Sequence, residues 1–147
     1  MKSMYDTDVR NELYSRIEKL TPAATPAWGK MTVYQMLKHC NMSEEMYLGK
    51  KRYKRLFIGR LFGKMALKGI LNNDAPMQPN KPTHPDFKIT GTGNFETERK
   101  KWLQLLSEYA SFNNSNFVHP FFGAMTKDQI GKYVYKHTDH HLRQFGV

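Results

Sequence analysis

Apolar residues recur along most of this chain with the spacing of an α-helix. Val9, Leu13, Ile17 and Leu20 mark one face of a first helix from about Thr7 to Leu20. Thr21, Pro22, Thr25 and Pro26 interrupt the pattern. Thr32 followed by Gln35 is a capping-box signature, in which each side chain satisfies a backbone N–H of the other residue. It predicts a second helix from Thr32 to about Leu48, closed by Gly49. A third helical stretch covers about Arg52 to Leu71. A fourth, capped by Asn94, runs from about Phe95 to Phe112 with Trp102, Leu105, Leu106 and Tyr109 facing inward. Thr126 and Gln129 form a second capping box and open a last helix that reaches about Phe145.

The segments between these helices are irregular. Asn72 to Gly93 holds four of the seven prolines, and a connection this long in a small domain either serves function or wraps the surface. Asn113 to Met125 is a loop that contains His119-Pro120-Phe121-Phe122-Gly123. Period-two alternation is nearly absent, and Phe87 to Thr90 is the one candidate for a short strand. The expected architecture is all-α and a single domain over residues 1–147. It is a bundle of four core helices, with a fifth in the connection between the second and the fourth.

The candidate chemistry sits on the helical faces. On the last helix the inner stripe reads Ile130, Val134, His137, His141, Phe145, at spacings of four, three, four and four. His137 and His141 therefore lie one turn apart on a face that should point into the bundle, a chelating geometry for one metal ion. His39 on the second helix lies roughly 60–80° from the middle of the stripe formed by Val33, Met36, Cys40 and Tyr47. Three imidazoles from two helices form a candidate open site of catalytic type, for zinc first, with nickel, cobalt or iron as alternatives. The plain structural alternative is that buried histidines hydrogen-bond to backbone or to tyrosine.

Other residues qualify for supporting roles. His140 is a candidate proton shuttle and, more simply, a rim residue bonded to a neighbour. His119 is a candidate lid group or a packed loop residue, and His84 is expected at the surface. Gln35 and Gln144 lie one turn from His39 and His141 and are candidates to orient a ligand or a substrate, although Gln35 already serves its cap. Arg143 is a candidate anion contact, and Asp139 is expected in solvent. Cys40 follows His39 but lies about 100° round the helix, which makes it a small core residue rather than a ligand.

Three blocks carry a family resemblance. Trp28-Gly29-Lys30-Met31-Thr32-Val33-Tyr34-Gln35-Met36-Leu37-Lys38-His39-Cys40, the His119–Gly123 block, and His137-Thr138-Asp139-His140-His141-Leu142-Arg143-Gln144-Phe145-Gly146 resemble an uncharacterised branch of the DinB/YfiT-like metalloenzyme superfamily. The resemblance implies an up-down-down-up four-helix bundle with a divalent metal near one end. It places the ligands on His39, His137 and His141. Members of the wider superfamily include thiol transferases, a thiol-dependent isomerase and metal-dependent hydrolases. With the three-imidazole donor set, zinc or nickel is the expected ion, and the resemblance implies a low-molecular-weight thiol as co-substrate and either S-transfer or hydrolysis of a small-molecule substrate.

Composition changes this picture in one respect. The chain has 147 residues and a formal charge of +10, and that charge is uneven. Lys50, Lys51, Arg52, Lys54, Arg55, Arg60, Lys64 and Lys68 fall between Met46 and Asn73, where there is no acidic residue. The rest of the chain is nearly neutral. Within that stretch Ile58, Leu61, Phe62 and Met65 form an apolar stripe, beside a separate row of Arg60, Lys64 and Lys68. The 50–68 segment therefore supports an alternative reading, a non-enzymatic module that contacts an anionic partner. Nucleic acid or an anionic membrane surface is less favoured than steering of an anionic small molecule, and a solvated cationic face on a core helix is the plainest reading.

A single cysteine excludes an internal disulfide and a cysteine-based zinc cluster. No apolar run approaches the ~20 residues that span a bilayer, and Met1 to Arg10 lacks the apolar core of a secretion signal, so the expected location is the cytoplasm. The aromatic loop around His119, taken as exposed, suggests a homodimer.

Overall fold

The structure is a computed structural model that describes every residue except Ser115. It is an all-α architecture. The helices are α1 (Thr7–Glu18), α2 (Val33–Tyr47), α3 (Phe57–Ile70), α4 (Phe95–Ser107) and α5 (Lys127–Gln144). Among the described residues, two short 3-10 turns, Pro85–Phe87 and Glu108–Ser111, and one antiparallel pair of two-residue strands, β1 (Val118–His119) and β2 (Gly123–Ala124), complete it.

Local chemistry sets the helix starts. Thr32 Oγ1 accepts from the Gln35 N–H while Gln35 Oε1 accepts from the Thr32 N–H, and Thr126 and Gln129 repeat the arrangement. Both predicted capping boxes are therefore formed. The Asn94 side chain accepts from the Thr97 N–H at 2.8 Å and starts α4. Beyond α2, Gly49 takes φ of +80°, a backbone conformation that glycine adopts without steric cost.

Four helices share the core. α2 packs on α4 and α5, and α1 packs on the same two. α2 is the most enclosed, with eleven of its fifteen residues buried, so even polar side chains on it must find partners inside. Asn41 Nδ2 donates to Glu98 Oε2 at 2.7 Å and to the Glu98 carbonyl, and Lys38 pairs with the same carboxylate, which ties α2 to α4. Leu13 and Ile17 of α1, Met36 of α2, Trp102 and Leu106 of α4, and Ile130 of α5 are wholly buried. The predicted inner stripes of α1, α4 and α5 are the ones that meet here. Among the described residues, no helix is long and apolar enough to cross a membrane.

The fifth helix stands apart. α3 packs on the β1–β2 hairpin instead of joining the core layer, and the chain before it, Lys51 to Leu56, is irregular rather than helical. The expected helix start at Arg52 is thus five residues early. The candidate strand at Phe87 to Thr90 is absent, because Pro85 to Phe87 makes a 3-10 turn capped by His84. The strand pair occurs instead in the loop before α5. That loop is also not the exposed aromatic feature expected from sequence. Phe117 and Phe122 are buried, and the His119 ring stacks on Phe122 at 4.4 Å. This removes the observation that suggested a homodimer.

The long connection from α3 to α4 lies across α2 and α5. Lys136 Nζ donates to the carbonyls of Ile70 and Asn73, which terminates α3 against α5. The carbonyl of Met77 then meets His140, that of Phe87 meets His39, and that of Gly91 accepts from Gln35. Each of these contacts pins the connection over the same region of the core, the one occupied by the histidines.

Candidate metal centre

His39 of α2 and His137 and His141 of α5 come together in the interior. One ring nitrogen of each lies within 4.8 Å of the others. His39 Nε2 and His137 Nε2 are 3.2 Å apart. The His137 and His141 rings meet edge to face at 4.7 Å between centroids, and His39 meets His141 at 4.9 Å. All three side chains are buried.

Two of the three rings are oriented by partners on their far side. His39 Nδ1 lies 3.1 Å from the Phe87 carbonyl oxygen, which can only accept, so Nδ1 carries the proton and Nε2 keeps its lone pair. His141 Nδ1 lies 2.9 Å from Gln144 Oε1. The orientation of that amide follows from its other end, where Nε2 donates to the Trp28 carbonyl at 2.8 Å. His141 Nδ1 therefore donates to Gln144, and its Nε2 lone pair is also free. Hydrogen bonds of this kind fix tautomer and ring angle in metal-ligating histidines.

The electrostatics favour neutral rings. Burial holds His39 below its ordinary value of 6.5. Burial, reinforced by the neighbouring imidazoles, holds His137 and His141 well below it. Metal binding requires the neutral form. The donor set fits a divalent ion. Two imidazole nitrogens on a tetrahedral zinc stand about 3.3–3.4 Å apart, close to the separation seen between His39 and His137. Two imidazole lone pairs at that distance repel unless a proton or a cation stands between them.

The remaining candidates are distributed around this centre. His140 is half-buried, its Nδ1 3.3 Å from the Met77 carbonyl and its ring 5.1 Å from that of His141 and 5.4 Å from Trp28. Gln144 is in contact with the cluster through His141. Gln35 is not, because its amide is used by the capping box and by the Gly91 carbonyl. His119 Nδ1 accepts from the backbone N–H groups of Phe121 and Phe122, and burial pushes its pKa down to about 3, so it is a neutral loop-forming residue. Arg143 is exposed. Asp139 is not solvated as expected. It pairs with Arg16 at 2.7 Å and ties α5 to α1. His84 is half-buried rather than at the surface, packed against Tyr53 and Phe87. Cys40 is buried with its sulfur toward Met36, and burial pushes its thiol well above the ordinary range.

The carbonyls of Phe87 and Met77 are the contacts to His39 and His140 that sequence reasoning did not find. Every residue carries a backbone carbonyl, so no side-chain pattern announces which one will face a histidine. The proline-rich composition of the connection was the only available signal.

The chain belongs to a family described as "Protein of unknown function (DUF1569)", which it matches over residues 4–146. No curated protein and no solved structure matches the chain.

Proposed function

We propose that this chain binds one divalent metal ion through His39, His137 and His141 and uses it in catalysis. The observation that carries the reading is the convergence of three neutral imidazoles, two of them held from behind by Phe87 and Gln144. In this reading the four core helices form the up-down-down-up bundle of the DinB/YfiT-like superfamily, in one domain over residues 1–147. Zinc or nickel is the expected ion. Three protein ligands leave a coordination position for a water or a small thiol, whose pKa a divalent ion lowers.

The chain's own groups supply orientation and proton handling. His39 and His141 present Nε2 inward because Nδ1 is engaged. His140 is tied through Nδ1 to Met77, which leaves its Nε2 as a proton acceptor at the rim, and burial keeps this ring below its ordinary value and neutral near pH 7. The connection that carries Met77 and Phe87 lies over the centre and limits access by water. The reaction class is transfer of a low-molecular-weight thiol to an electrophile, or hydrolysis of a small ester or amide. The substrate is a small molecule, and the basic flank steers it where it is anionic.

The test is metal analysis of protein purified without a histidine tag. The wild type should carry about one equivalent per chain, as one three-histidine site allows. His137→Ala and His141→Ala should lose it, and unchanged metal content in both variants would end the proposal. Offering an electrophilic ester with and without a small thiol separates the two reactions, because only transfer requires the thiol.

A further inference from the structure

The apolar stripe of α3 faces outward. Gly59 and Gly63 turn inward, where a side chain on either would collide with the Phe121 backbone, and Leu67 is buried on the same side. The opposite face carries Phe57, Ile58, Leu61, Phe62 and Met65, which are 48% to 75% exposed. Scattered exposed apolar residues are ordinary, but five large ones on one arc of one helix form a contiguous patch that marks an interaction surface.

Charge identifies the occupant. Arg60, Lys64 and Lys68 run along one edge of the arc, and the irregular lead-in adds Arg52 and Lys54. Lys50 and Lys51 are neutralised by Glu108 and Glu45, whereas Arg52, Lys54, Arg60 and Lys68 have no ion pair among the described residues. There is no acidic residue between Met46 and Asn73. A second copy of this face would bring two such cationic rows together, and nucleic acid would leave the five apolar side chains without a partner. An apolar face bordered by unpaired cations matches the boundary between acyl chains and anionic headgroups.

We propose that α3 docks this protein on an anionic lipid membrane surface. The helix lies in the plane of the interface, with Phe57, Ile58, Leu61, Phe62 and Met65 at the acyl boundary and Arg60, Lys68 and Lys54 among the headgroup phosphates. The histidine centre has no part in the docking, so the two proposals stand or fall separately.

The experiment is co-sedimentation of the full chain with vesicles of phosphatidylcholine alone or of phosphatidylcholine mixed with phosphatidylglycerol, at low and high salt. Binding to the anionic vesicles is expected, weakened by salt and absent with phosphatidylcholine alone. Leu61→Glu with Met65→Glu, and separately Arg60→Glu with Lys68→Glu, should each weaken it by ~10-fold or more, because apolar burial and charge act together at such a surface. These side chains are exposed, so helicity by circular dichroism and metal content should not change. No binding at low salt would overturn the proposal. So would binding that charge reversal abolishes but the apolar substitutions leave intact, which is the behaviour of a general polyanion site. A dimer in gel filtration that Leu61→Glu dissociates would assign the face to a second copy instead, and would equally overturn it.

Discussion

The Nε2 atoms of His39 and His137 face each other at 3.2 Å across the interface between α2 and α5. With His39 Nδ1 bonded to the Phe87 carbonyl, the His39 lone pair points at His137 Nε2, where either the His137 proton or, in the proposed metal-bound form, a shared cation meets it. A ligand that binds only the folded chain stabilises it by mass action. Protein stripped with a chelator should therefore melt higher when zinc or nickel is restored. At a free metal concentration ~100 times Kd the gain is about 2.7 kcal/mol. For a chain of this size that corresponds to a Tm shift of roughly 5–10 °C. His137→Ala should show no such shift in differential scanning calorimetry.

Gln144 provides a finer test of the same centre. It accepts from His141 Nδ1 and donates to the Trp28 carbonyl, so it sets the angle of His141 without reaching the ion position itself. Gln144→Ala should leave the fold intact and weaken metal binding by ~10–100-fold, the usual cost of losing such a support. Competition with a chromogenic chelator measures it. An unchanged affinity would show that packing alone orients His141.

Much of this was legible in the sequence, and the part that was not has physical reasons. The capping boxes at Thr32 and Thr126 are local, because three residues decide each one. The inward face of α5 is also local, because the spacing of Ile130, Val134, His137 and His141 admits one face. The closeness of His39 to His137 follows once α2 and α5 pack with those faces together. The contacts of Met77 and Phe87 are not local, since they depend on how a proline-rich connection lies over the core. The face of α3 was legible as amphipathic but not as inside out. Periodicity separates two faces and does not say which one is buried. Gly59 and Gly63 decide it, because only a bare face can approach the Phe121 backbone.

The core holds a second titrating group, distinct from the histidines. Glu44 is buried in α2 and accepts from the Tyr109 hydroxyl at 2.5 Å. Burial pushes its carboxyl from the ordinary 4.5 up to about 8, so it is protonated near neutrality. The folded chain therefore holds this proton more tightly than the unfolded chain. The stability it contributes is fully present below about 4.5 and is lost as pH rises toward 8. Glu44→Gln removes the titration and keeps the shape. The stability of Glu44→Gln relative to the wild type should rise between pH 5 and pH 8, as measured by urea unfolding. The histidines titrate in both proteins, so their contribution cancels in the difference. Parallel curves would show that Glu44 does not carry this linkage.

α3 allows one substitution to be tried in two environments. Intrinsic propensity favours alanine over glycine in a helix by ~1 kcal/mol. At Gly69 a Cβ would meet nothing within 4 Å, so Gly69→Ala should realise some of that gain, reduced because the residue lies near the helix end. At Gly63 the added Cβ would overlap the Phe121 carbonyl oxygen and stand 2.9 Å from its carbon and 3.0 Å from the Phe122 Cα. These are backbone atoms of a loop whose ring packing and hydrogen bonds at His119 resist displacement. Gly63→Ala should therefore lower stability, by about 1–3 kcal/mol if α3 stays docked under strain. If α3 detaches instead, amide exchange should rise across Phe57–Ile70 while α2 and α5 stay protected. Opposite signs at Gly69 and Gly63, read by chemical denaturation, would show that α3 is held in place by its close approach to Phe121 and not by burial of its apolar stripe. Equal stabilisation at both positions would mean that the close approach is not made.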